Sequence, residues 1–139
     1  MIPVLPDVDA LVTDALRSGL SGVTVRVLWP GDWSARLPLV VARRVSGAAT
    51  SAGGIDVAIV DVQCAASTRR EASALARSAR VVLLTACRAQ HRGVDGYLST
   101  GREESGPAEI RIGEPAAGPD VFRFQATYRV TARPNRKSL

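Results

Sequence analysis

His91 is the single histidine of this 139-residue chain. A catalytic triad or a two-histidine metal site would therefore need a residue from another chain. Its surroundings, Ala89-Gln90-His91-Arg92-Gly93, read as a solvated loop. Cys64 and Cys87 stand 23 positions apart in apolar segments with no Cys-x-x-Cys or histidine companion, so both read as buried thiols rather than metal ligands or a disulfide pair. Neither glycine-rich phosphate loop is written in the chain, and Gly53-Gly54 precedes a strand pattern rather than a helix. Arg69, Arg70, Arg77 and Arg80 could track a phosphate backbone, or form a solvated helix face. Phe122, Phe124 and Tyr128 could stack on bases, but they fall on one side of a strand pattern and read as core. Trp29 and Trp33 flank Pro30-Gly31-Asp32, which makes Trp29 a packing residue and Trp33 a half-exposed contact. These residues point to no catalysis, no cofactor and no metal.

The composition is that of one compact domain, with 46% apolar and 22% charged residues. No apolar run approaches the roughly 18 residues needed to cross a bilayer, and the first residues lack a basic segment followed by an apolar one. A soluble, unexported protein with no membrane partner is expected. Net charge is +5, yet seventeen of the eighteen cations are arginine and only Lys137 is lysine. Arginine, alanine, valine, glycine and proline together are what a GC-rich genome writes, so the charge alone does not select a nucleic-acid partner.

The elements that must position these residues follow from periodicity. Val8, Leu11, Val12, Ala15 and Leu16 recur at helical spacing after Asp7, a capping residue. Val23 to Trp29 and Leu37 to Val45 alternate as strands at hairpin distance, which predicts antiparallel pairing. The run from Ser46 to Gly54 holds only small residues and reads as a mobile loop. Asp56 to Cys64 reads as a third strand, with Asp61 toward its wetter face. Thr68-Arg-Arg-Glu71 is a capping box, and a small-residue helical face follows from Ala72 to Ala86. Residues 88 to 107 read as a long, partly ordered connection in which Val94, Tyr97 and Leu98 are the only anchors. A strand over 108–112, a turn and a strictly alternating strand from Val121 to Arg133 close the domain. The expected fold is α+β: a largely antiparallel or mixed sheet of about five strands packed by two helices, in the order α-β-β-β-α-β-β. Residues 1–134 form the domain and 135–139 a frayed tail.

Taken together, Val-Arg-Val-Leu-Trp-Pro at 25 to 30, Leu-Pro-Leu-Val-Val-Ala-Arg-Arg-Val-Ser-Gly at 37 to 47, the Asp56-Val57-Ala58 strand, the alanine-arginine helix and Phe-Arg-Phe-Gln-Ala-Thr-Tyr-Arg-Val-Thr-Ala-Arg-Pro at 122 to 134 resemble the tail terminator, or tail-completion, proteins of long-tailed bacteriophages. The likeness is strongest to those of phages infecting high-GC actinobacteria and spans nearly the whole chain. It implies a virion structural protein, assembled in the host cytoplasm, that closes into a six-membered ring and caps the tail tube. It also implies contacts with the major tail tube protein and a head-completion or connector protein, with genome DNA passing through the ring unread. The contact regions expected are the loops at 46–54 and 92–106, with Gly47, Ser51, Gly53, Gly54, Trp33, Arg69, Arg70, Tyr97 and Arg102 as candidate contacts. Two other readings stay open: a small basic nucleic-acid-binding module resting on Arg70, Arg77 and Arg80, and an enzyme completed by oligomerisation around His91 or Cys64.

Overall fold

The structure, a computed structural model, describes residues 2–50, 54–110 and 121–135. It is the expected α+β arrangement. Helix α1 (Val8–Gly19) starts where Asp7 accepts a hydrogen bond from the Ala10 amide at 3.1 Å, and it buries Val8, Leu11, Val12, Ala15 and Leu16. Strands β1 (Thr24–Arg26), β2 (Leu39–Ala49) and β3 (Asp56–Ala66) follow, then helix α2 (Arg69–Arg88) and strands β4 (Gly96–Ile110) and β5 (Phe122–Pro134). They form one five-stranded sheet in the order β1-β2-β3-β5-β4. Thr68 caps α2 by accepting from the Glu71 amide at 3.1 Å, as its sequence box requires.

Both helices lie on the same face of the sheet. Ala72, Leu75, Ala76, Ala79, Leu83 and Cys87 of α2 join the buried side chains of α1 and the inward row of β5, from Phe124 through Tyr128 to Ala132, in one hydrophobic cluster. The small residues of α2 let it lie close. At Gly101 of β4 an added Cβ would stand 2.6 Å from the Cys87 sulfur. Each large aliphatic side chain buried here contributes about 1.5–3 kcal/mol.

Three expectations are corrected. First, β1 pairs with β2 in parallel, Thr24 opposite Leu39 and Arg26 opposite Val41. The chain leaves β1 after Arg26, makes a 3-10 turn at Trp33–Ala35 and returns to start β2 beside the start of β1, where the Thr24 amide bonds to the Pro38 carbonyl at 3.0 Å. Residues 27–38 thus act as a crossover, not a hairpin turn, and β1 is shorter than the alternation suggests. Second, Ser46 to Ala49 are strand: they pair with Asp56 to Ile59 after a register shift between Arg44 and Ser46. Small exposed residues bury nothing, but their backbone groups still complete a ladder, and Gly47 at φ +105° supplies the bend. Third, the stretch expected as a loop over 92–106 is largely β4, paired with β5 along its length and interrupted by three register shifts. Ser51 and Gly53 lie outside the described residues, as does the turn expected between the last two strands.

Candidate assembly surfaces

Helix α2 carries the cationic surface. At about 100° per residue, Arg70, Arg77 and Arg88 fall within about 20° of a single line along its outer side, with Val81 on that line between them. All four are exposed, and Val81 is 57% accessible. The three arginines make no ion pair among the described residues. Their neighbours differ. Arg69 donates Nε to Glu109 at 2.7 Å and sits over the Phe124 ring at 5.5 Å, and Arg80 donates Nε to Glu103 at 2.7 Å. Arg69 and Arg80 therefore clamp α2 onto β4, leaving the ridge to the other three. The set 69, 70, 77 and 80, read as either a phosphate track or a solvated face, is split in two by this pairing.

The opposite face of the sheet carries no helix. Its upper part is covered by the 27–38 crossover: Trp29 and Trp33 meet edge to face with centroids 5.3 Å apart, and the Arg123 guanidinium stands 4.1 Å from the first ring and 4.6 Å from the second. Burial draws the Arg123 guanidinium below its usual value. Leu39, Val41 and Ala65 are buried on this same side. Trp33 is half-buried, held by this stack. Further along, Asp61 is nearly buried and accepts from the side-chain amides of Gln63, at 3.0 Å, and Gln125. It does face away from the helices, and the two amides satisfy it there. Arg129 and Arg102 both donate to Glu104, at 2.6 and 3.2 Å, and the Arg129 hydrogen bond holds that carboxyl below the usual range.

The end of the sheet gathers two other candidates. Gly54, at φ +71°, packs against Pro3 and Pro134, and Pro134 in turn pairs in register with Gly96, next to Tyr97. Tyr97 is half-buried beneath the Arg92 guanidinium at 4.9 Å. Asn135 is tied here as well, donating to the carbonyls of Gly93 and Val94 and accepting from Arg92 at 3.0 Å. Gly47 lies on the β2–β3 arm, where its positive φ and the nearby Val57 carbonyl leave no room for a Cβ. The described candidates thus separate into four places: Gly47 on the β2–β3 arm, Gly54 with Tyr97 at the sheet end, Trp33 with Arg102 on the open face, and Arg69 with Arg70 at the start of α2.

One concave surface went unread in the sequence. A groove of about 670 Å³ runs along α1 and is lined by Asp7, Asp9, Asp14 and Asp95 with Arg17 and Val94. His91 closes its neighbourhood by meeting Asp14 at 2.7 Å, so this histidine bridges α1 to the turn after α2 rather than standing in a solvated loop. Aspartates at 7 and 14 on one helix side were the available signal; Asp95 reaches them only through β4.

Neither cysteine is an activated nucleophile. Burial pushes the Cys64 thiol up to about 12 and the Cys87 thiol up to about 11. Tyr128 is also raised to about 12, chiefly by burial, and its hydroxyl has no hydrogen-bond partner among the described residues. Among the described residues no group of three acidic, histidine or cysteine side chains could hold a metal ion, and no helix is long and apolar enough to cross a membrane.

A family model described as "Phage tail termination protein" matches residues 4–139. No curated protein matches. Among solved structures, a chain in "Virion of native gene transfer agent (GTA) particle" is similar, with a TM-score of 0.59 and 16% identity over 91% of this chain and 95% of that one.

Proposed function

The chain belongs to the phage tail termination protein family, a family of virion structural proteins of the tail or neck, and from that premise we propose that it caps the tail tube. In this reading six copies close into a ring on the finished tube. The ring ends polymerisation of the tube protein and presents its other surface to a head-completion or connector protein. Genome DNA passes through without specific binding, no catalysis takes place, and residues 1–134 act as one domain. The family match over nearly the entire chain carries the proposal.

The geometry supports a ring subunit in two ways. A closed ring with a rotation axis needs two different surfaces that complement each other, and this chain presents a cationic ridge and an acidic groove that share no residue. The fold also guards against uncontrolled strand addition. The long outer edge of β4 is broken by three register shifts, carries Pro107 and is lined by charged side chains, devices that blunt an edge.

Light scattering and negative-stain imaging of the purified chain, alone and with tail tubes, test the proposal. A species of about 88 kDa, six chains of 14.7 kDa, or caps on tube ends are the expected results. A chain that stays monomeric, ignores tubes and binds duplex DNA in a steeply salt-dependent manner would overturn it in favour of a nucleic-acid module.

A further inference from the structure

We propose that the arginine ridge of α2 docks into the acidic groove of a neighbouring copy, making the head-to-tail junction of the ring. The inference rests on the ring reading above and names the two surfaces that meet.

The ridge is a straight cationic line. Arg70, Arg77 and Arg88 span about 27 Å of helix at 1.5 Å per residue, and they point away from the buried face of α2. None has an ion-pair partner among the described residues. The groove has the opposite sign, with four aspartates against the single Arg17. Asp7 caps α1, Asp9 accepts from the Arg44 amide at 2.7 Å, Asp14 meets His91 and Arg17 is engaged by the Val25 carbonyl at 2.9 Å. No arginine or lysine side chain of the described residues pairs with these aspartates. A chain with net charge +5 that gathers four aspartates along one groove is arranged to meet a cation, and α2 exposes a line of three.

Apolar exposure coincides with both. Val81, in the middle of the ridge, is 57% accessible, and Val94, at the groove rim, is 95% accessible. Contact between the two would remove both from water while the charges set the register.

The directions of the surfaces suit a ring. Helix α1 turns Ala15, Ser18 and Gly19 toward the trough beside α2, and Ala10, Thr13 and Asp14 toward the groove. The two patches share no residue, so a neighbour docked on one leaves the other for the next copy. Ridge against ridge repels, and so does groove against groove, so the contact joins unlike surfaces.

The test uses two full-length variants, Arg70→Glu/Arg77→Glu and Asp14→Arg/Asp95→Arg, each checked for fold by circular dichroism. Assembly is read by sedimentation velocity. Each variant alone is expected to associate at least tenfold more weakly than the wild type. An equimolar mixture is expected to recover rings, because intact ridge meets intact groove at one junction and reversed ridge meets reversed groove at the next. Undiminished assembly of either variant overturns the contact, and so does a mixture that fails to recover. Retained rings combined with loss of binding to a labelled DNA duplex in the ridge variant would assign the ridge to nucleic acid instead. A wild type that neither forms rings nor caps tubes removes the ring reading itself, and this junction with it.

Discussion

Strands β4 and β5 are neighbours in the same sheet, yet they are made in opposite ways. In β5 every second residue from Phe124 to Ala132 is buried, and the alternation would draw this strand out of almost any partner. In β4 only Gly96 and Leu98 are buried, and from Ser99 to Glu109 the strand is written almost wholly in glycine, serine, threonine, proline, alanine and charged residues. Such a segment does not choose the extended state for its own side chains. It becomes a strand because β5 offers hydrogen bonds on one side and because Arg69 and Arg80 of α2 hold Glu109 and Glu103 from above. A strand can thus be written in its own alternation or imposed by its neighbours, and only the first kind is visible before folding.

Substitutions sharpen that difference, and the largest effect belongs to β5. Tyr128→Ala should cost about 3–5 kcal/mol in urea unfolding, the range for emptying a large aromatic site. Tyr128→Phe should be neutral or stabilising by up to about 1 kcal/mol, because the hydroxyl it removes is buried without a partner among the described residues. In β4 the position that matters is a glycine. Gly101→Val drives a branched side chain into the Cys87 sulfur and should cost about 1–3 kcal/mol. A cost indistinguishable from that of an exposed β4 substitution would mean that β4 does not pack on α2 as described.

Titration separates the strands more gently. The Cys64 thiol of β3 is raised to about 12 by burial, so the folded chain keeps a proton that the unfolded chain releases near pH ~8.5. Stability from this group is complete below that unfolded value and is lost as pH rises toward the folded one. Denaturant midpoints should fall between about pH 9 and pH 11, with a shallower fall in Cys64→Ala. The smallest effect is expected at Glu104 of β4, whose carboxyl is lowered mainly by the Arg129 hydrogen bond. Its contribution is present above the unfolded glutamate value and disappears as pH falls through the folded one, and solvent screens it. Arg129→Gln should move the Glu104 carboxyl resonance to titrate at higher pH in NMR spectra, with little change in melting temperature.

Much of the fold was legible because it rests on local rules. Asp7 and Thr68 announce the two helix starts, the face of α2 reads from its alanines, and β3 and β5 read from alternation. What stayed hidden depends on partners distant in sequence. Nothing near Val25 tells that it lies parallel to Val40, because that choice is made by the path of residues 27–38 over the sheet. Ser46 to Ala49 become strand only because β3 extends far enough to pair with them. The candidate surfaces follow the same division. The outward arginines of α2 were visible in helical spacing, whereas the groove needed α1, Val27 and the turn before β4 to be brought together. Arg69 was legible as exposed, but its tie to Glu109, forty residues on, was not.

Trp29 and Trp33 are the only tryptophans in the chain, and both lie against the same guanidinium. The intrinsic fluorescence of this protein therefore reports on one spot, the crossover that seals the helix-free face of the sheet. Energy passes readily between indoles 5.3 Å apart, so the two emit as a coupled pair. A partner or a neighbouring copy that presses on residues 29–36 would change the colour and polarisation of that emission, whereas contacts confined to α2 and the groove would leave it still. The protein carries, without any label, an optical means of telling on which side of its sheet assembly occurs.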